Sequence, residues 1–162
     1  MIYLNTKNKW KLFLTIFIGK ILLINTSAYS CEDLNYEKAI IWIESQSKTK
    51  EKIVVELADT TKKRKQGLQC RNKIPKQEGM LFIWKKADYR VFWMKKTYVP
   101  LDIIFLDQNK QIIDFFLNAK PMDQSSIISN GKAKYVLEIN AGEFKNLDLK
   151  LGQKLNFFSN LN

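Results

Sequence analysis

Ile103-Ile104-Phe105-Leu106, then Asp107-Gln108-Asn109-Lys110, then Ile112-Ile113-Asp114-Phe115-Phe116-Leu117: two short apolar runs flank a polar turn. Apolar runs this short, bounded by turn formers, suit strands better than helices. Asp and Asn hydrogen-bond their own backbone in tight turns, so the segment reads as a β-hairpin. Working outward, Met80-Leu81-Phe82-Ile83-Trp84 and Val91-Phe92-Trp93-Met94 are runs of similar length, with Lys85-Lys86 between them. Ile53-Val54-Val55-Glu56-Leu57-Ala58 is β-branched, and Tyr135 to Asn140 alternates, with Tyr135, Leu137 and Ile139 opposite Val136, Glu138 and Asn140. Ala39 to Ile43 and Lys154 to Phe158 complete the expected strands, and residues 118–132 read as a looser polar loop.

Two short helices are expected. Asp59-Thr60-Thr61 offers N-caps for a stretch from Lys62 to Arg71, in which Arg64, Leu68 and Arg71 would share one face. The second lies near Glu143 to Leu149. The pattern is mainly β: a compact antiparallel β-sandwich, jelly-roll-like or barrel-like domain with one or two short helices. It shows neither an internal repeat nor a second domain.

The N-terminus has the three parts of an export signal: Lys7, Lys9 and Lys11, an apolar stretch from Leu12 to Ile24, and the small polar run Thr26-Ser27-Ala28-Tyr29-Ser30. A spanning helix needs about 20 apolar residues; this stretch has thirteen and contains Lys20. The expected organisation is a signal peptide over 1–30, a lead-in over 31–51 and a single β-rich domain over 52–158. The expected location is periplasmic or extracellular, the alternative being an uncleaved N-terminal anchor. Cys31, directly after the small residue Ser30, admits three fates: lipidation, a disulfide with Cys70, or a free thiol. Membrane association is expected only through the leader or lipidation at Cys31.

The leader holds four lysines and no acid, so the formal charge of +11 falls to +7 for the remainder. The lysines are scattered, which fits a solvated basic surface better than a polyanion site, and export argues against nucleic acid as partner. A monomer is expected.

The run Glu56-Leu57-Ala58-Asp59-Thr60, Arg64, Gly67-Leu68, Arg71 and Gly79-Met80-Leu81-Phe82 is followed by Phe92-Trp93-Met94-Lys95, Thr97 and Pro100-Leu101-Asp102. With Val136-Leu137-Glu138, Ala141-Gly142 and Gly152, this order of residues resembles the Domain of Unknown Function 192 family over about residues 52–158. The resemblance implies a compact, mostly β fold, often behind a signal peptide, and implies no activity. Gln69 stands where the family usually has Met, and Lys96 where it usually has Asn.

The chain has no histidine, which removes Ser-His-Asp and Cys-His catalysis and His-based zinc sites. Two cysteines cannot fill a zinc shell, and Met80, Met94 and Met122 fit no copper spacing. No metal or cofactor is expected. Asp102 and Glu138 each interrupt apolar surroundings; facing one cleft, they could act as acid and base in a hydrolase or lyase. Alternatively, Arg64 and Arg71 would pair with them in a structural cluster. Trp93 is an aromatic surface for a flat ligand, or a core residue. On a strand Phe92 and Met94 would lie opposite it. Lys95 and Lys96, with Thr97, suggest a small anion pocket. The leading expectation is a non-enzymatic exported domain binding a small ligand or envelope component through Trp93, Met94, Lys95, Thr97 and Asp102, with Arg64, Arg71 and Glu138 behind them. A structural or assembly partner in the envelope is the third reading.

Overall fold

The computed structural model describes residues 31–44 and 50–157. The export signal expected over 1–30, the polar run after Glu44 and the last residue of the expected final strand lie outside the described residues. Nine strands and two short helices follow in order: β1 (Lys38–Glu44), β2 (Lys50–Ala58), α1 (Thr61–Gln66), β3 (Glu78–Asp88), β4 (Val91–Phe92), β5 (Leu101–Leu106), β6 (Ile112–Ala119), β7 (Ile127–Ile128), β8 (Ala133–Asn140), α2 (Glu143–Asn146) and β9 (Asn156–Phe157). The fold is mainly β and sandwich-like. A seven-stranded sheet runs β6-β5-β8-β3-β2-β1-β9, and β4 pairs with β7 in a separate ribbon.

The expected hairpin is β5–β6, with the Asp107 carboxylate accepting from the amides of Asn109 and Gln111 to hold its turn. The strip expected as a lead-in supplies β1, which pairs antiparallel with β2 and β9 and buries Ile41 and Ile43. The sheet is not wholly antiparallel: β2 and β3 run parallel, Val54 opposite Glu78 through Ala58 opposite Phe82. α1 and the turn after it make the crossover that such a pair requires. The ladder does not close into a barrel, although Gln111 bridges Lys154 near the outer strands. The loop expected over 118–132 contains β7, whose two residues pair with β4.

Period-two alternation gives the large sheet two apolar faces. Ile53, Val55, Leu57, Leu81, Ile104, Leu106, Leu137 and Ile139 pack with α2 and the C-terminal segment on one face. Met80, Phe82, Ile103, Phe105 and Val136 pack with Leu68 and Met94 on the other. Gly79 sits where β3 meets β8 most closely. A β-carbon there would fall 2.2 Å from the Glu138 carbonyl oxygen and 2.9 Å from the Ile139 side chain. Cys31 and Cys70 are disulfide-bonded, with Cα atoms 6.2 Å apart, which ties the start of the described chain to the segment after α1.

Candidate functional site

Alternation decides which residues of these motifs can meet. Glu138 lies opposite Met80 on β3 and Ile103 on β5, so its side chain shares the face of Met94 and Phe82. Asp102 lies opposite Ile139 and therefore points to the other face. The expected acid–base pair is not formed, because the sheet itself separates the two carboxyls.

Asp102 is wholly buried and already engaged. One oxygen accepts from the Asn118 amide at 2.9 Å; the other accepts from Gly142 at 2.8 Å and Phe144 at 3.0 Å. Gly142 is the N-cap of α2 and has no side chain to cap it. Asp102 supplies from β5 the carboxylate that a capping residue would supply locally. The Ala141 amide donates to Pro100, so the Pro-Leu-Asp and Ala-Gly motifs are two halves of one structural joint. Glu143 is a second buried acid here: one oxygen accepts from the Gln77 amide at 2.7 Å, and the other has no partner among the described residues. Burial pushes its carboxyl up, the Gln77 hydrogen bond opposing. The sequence reading missed Glu143, which looked like an ordinary first-turn helix residue.

The arginines do not join the acids as expected. α1 ends at Gln66 because Gly67 turns left-handed (φ 54°), so Arg71 lies beyond the helix and shares no helix face with Arg64. Arg71 makes two hydrogen bonds to the Glu56 carboxylate and stacks over Tyr36. Its pKa is raised, chiefly by the hydrogen bond to Glu56. Arg64 donates to the carbonyls of Asp59 and Ile83 and lies 5.3 Å from the Trp84 ring centre. Partial burial lowers its pKa.

What remains is Glu138. Only 5% exposed, it has no hydrogen-bond or ion-pair partner among the described residues. Burial alone pushes its carboxyl up to about 8. It lines a cavity of about 220 Å³, together with Arg64, Gln69, Trp84, Phe92, Trp93 and Thr97. Phe92 forms the aromatic wall, meeting Phe82 edge-on at 5.1 Å and Trp84 at 6.3 Å. Trp93 turns outward and is 54% exposed, whereas Met94 is core. Thr97 is buried, and its hydroxyl makes one long hydrogen bond, 3.4 Å to the Lys95 carbonyl.

Of the expected site residues, the structure brings together Arg64, Trp93, Thr97 and Glu138. Met94, Asp102 and Arg71 are placed elsewhere, and Lys95 is exposed rather than part of the cavity lining. Lys96 has a left-handed backbone (φ 54°), and its carbonyl accepts from the Cys70 amide. Asn tolerates that conformation better than most residues, so the family's preference there has a backbone explanation that needs no ligand.

The sequence matches the model of the DUF192 family, described as Uncharacterized ACR, over residues 42–157, and the chain belongs to that family. Similar solved structures include two crystal structures. One, a Sinorhizobium meliloti 1021 protein put forward as a transcription regulator, is 33% identical with a TM-score of 0.74, covering 78% of this chain and 98% of its own. The other, a protein of unknown function from Novosphingobium aromaticivorans DSM 12444, is 30% identical with a TM-score of 0.71, covering 78% and 91%. No curated protein matches.

Proposed function

We propose that the protein is an exported, non-enzymatic binding module that takes a small ring-shaped ligand in the cavity above Glu138. One observation carries this reading: an acid almost wholly buried, opening on a cavity, without a hydrogen-bond or ion-pair partner among the described residues. Burial penalises the charged form of this carboxyl, and the neutral acid open to the cavity can both donate to and accept from a bound molecule.

The lining defines the ligand's chemistry. With its pKa near 8, Glu138 is mainly protonated at neutral pH and can both donate and accept. The Thr97 hydroxyl can do the same. Trp93 and Phe92 offer flat apolar faces, and Arg64 is a cation held by backbone carbonyls. A neutral ring carrying an adjacent donor and acceptor fits this set. The cavity is smaller than the roughly 300–1,000 Å³ of drug-sized sites, which suits a single ring. The N-terminal charge and apolar pattern and the Cys31–Cys70 bond support export, since disulfides persist in oxidising compartments.

The test is a thermal-shift screen of neutral sugars and amide- or hydroxyl-substituted heterocycles against wild type, Glu138→Leu and Trp93→Ala. Ligand at a hundred times its Kd stabilises by about 2.7 kcal/mol. The reading expects hits that shift wild type and lose their effect in both variants. A panel whose every hit shifts the variants as much as wild type removes the cavity from consideration.

A further inference from the structure

The β4–β7 ribbon carries a second feature, at the rim of the cavity that Val91 and Trp93 also line. Strand alternation turns Phe92 and Ile127 inward and their neighbours outward. Tyr89, Val91 and Trp93 follow at every second position, and Val91 lies directly opposite Ile128. Tyr89 is 61% exposed, Val91 57% and Ile128 61%. Large apolar side chains scattered singly are ordinary, but a row of them on one ribbon face marks a contact surface.

The ground beside this row is basic. Two shallow depressions, about 460 and 620 Å³, both include Lys85 and Lys86; Lys132 and Lys134 line the first, Arg64 and Arg90 the second. The acids in their linings are engaged locally. Asp107 accepts from its own turn, Asp59 pairs with Lys63 at 3.3 Å, and Asp88 accepts from the Tyr89 amide. Cations outnumber acids in both linings, four to one in the first and four to two in the second, so the local charge is positive.

We propose that this ribbon docks on an anionic lipid bilayer, with Tyr89, Val91 and Ile128 entering the headgroup region and Lys85, Lys86 and Lys132 facing the phosphates. Both halves of the surface are needed to choose the occupant. A hydrophilic polyanion would leave the apolar row uncovered. A second copy of the chain would bring like charges at Lys85, Lys86 and Arg90 together around the shared row, at a cost of several kT in an apolar contact. A bilayer of anionic lipid offers phosphates and apolar chains at the spacing of one side chain's length, where aromatic and aliphatic residues with flanking cations partition.

Hydrogen–deuterium exchange of the full chain tests this, read segment by segment so that the N-terminal stretch is scored separately. Vesicles of phosphatidylcholine alone are compared with vesicles of equal parts phosphatidylcholine and phosphatidylglycerol. The expected result is protection of residues 89–93 and 127–129 on the anionic vesicles only. It should be lost in Lys85→Glu/Lys86→Glu and in Val91→Ser/Ile128→Ser, with exchange in β5 and β8 unchanged as the control for folding. Each cation near an anionic surface is worth about five-fold in partitioning, so the double charge reversal should weaken vesicle binding at least about 25-fold. Equal protection on neutral vesicles, protection on neither, or protection that grows with protein concentration alone overturns the proposal. The last result would assign the surface to a second copy.

Discussion

Replacing Glu138 by Gln should make the protein more stable at high pH and leave it nearly unchanged at low pH. The side chain keeps its shape and loses its titration. In the wild type, burial raises the carboxyl from 4.5 to about 8. Between those values the folded protein holds a proton that the unfolded chain has released, so stability falls as pH rises. The stabilising proton is fully bound in both states below about pH 4.5, and the loss is complete once pH passes the folded value. Each pH unit of that interval is worth ~1.4 kcal/mol, which makes the whole on the order of 5 kcal/mol. Urea denaturation of both proteins from about pH 5 to about pH 9 reads the effect as a difference between two curves. Glu143, also raised by burial, titrates in both and cancels. The Gln variant should draw level with wild type at the acid end and exceed it by several kcal/mol at the basic end. Curves that run parallel would show that Glu138 is solvated or paired, and the cavity would lose its recognition group.

Three further outcomes follow from the same geometry. Gly79→Ala must push β3 and β8 apart, since its β-carbon would sit 2.2 Å from a backbone oxygen, and should cost about 3–5 kcal/mol in thermal denaturation. Asp102→Asn weakens three hydrogen bonds to backbone amides and should cost about 1–3 kcal/mol by denaturant titration, with ligand binding at Glu138 unchanged; a loss of binding without a loss of stability would reassign Asp102 to the site. Cys31→Ser opens a loop of sequence separation 39 and should cost about 4 kcal/mol, matched by reduction of the wild type and absent from the reduced pair.

The hairpin at β5–β6 was legible because its turn chemistry and its apolar runs are local, as was the placement of Trp93 opposite Phe92 and Met94, though not which side faces outward. The parallel pairing of β2 with β3 was not, because it depends on register across the crossover rather than on any local pattern. β7 is two residues long and exists through its pairing with β4, so a polar loop was the natural reading of its surroundings. Glu138 announced itself as an acid in an apolar strand, and Arg64, Trp93 and Thr97 could be named as its companions. Arg71 misled for a physical reason: helical spacing past Gly67 assumes that the helix continues, and Gly67 ends it. Asp102 misled because its partners are amides contributed by residues far along the chain, which no side-chain motif records. That Glu138 has no partner among the described residues is a property of the whole surrounding fold and could only be seen there.

A Glu138 carboxyl without a partner among the described residues, at the foot of a ligand cavity, reports on itself through its own titration. Carbon-13 NMR of the glutamate carboxyls resolves that midpoint in the free protein and again with a ligand found by the thermal-shift screen. The expected midpoint is near 8 for Glu138, moved by the ligand while the other glutamates stay in place. A midpoint near the ordinary 4.5, indifferent to every ligand that binds, would contradict it.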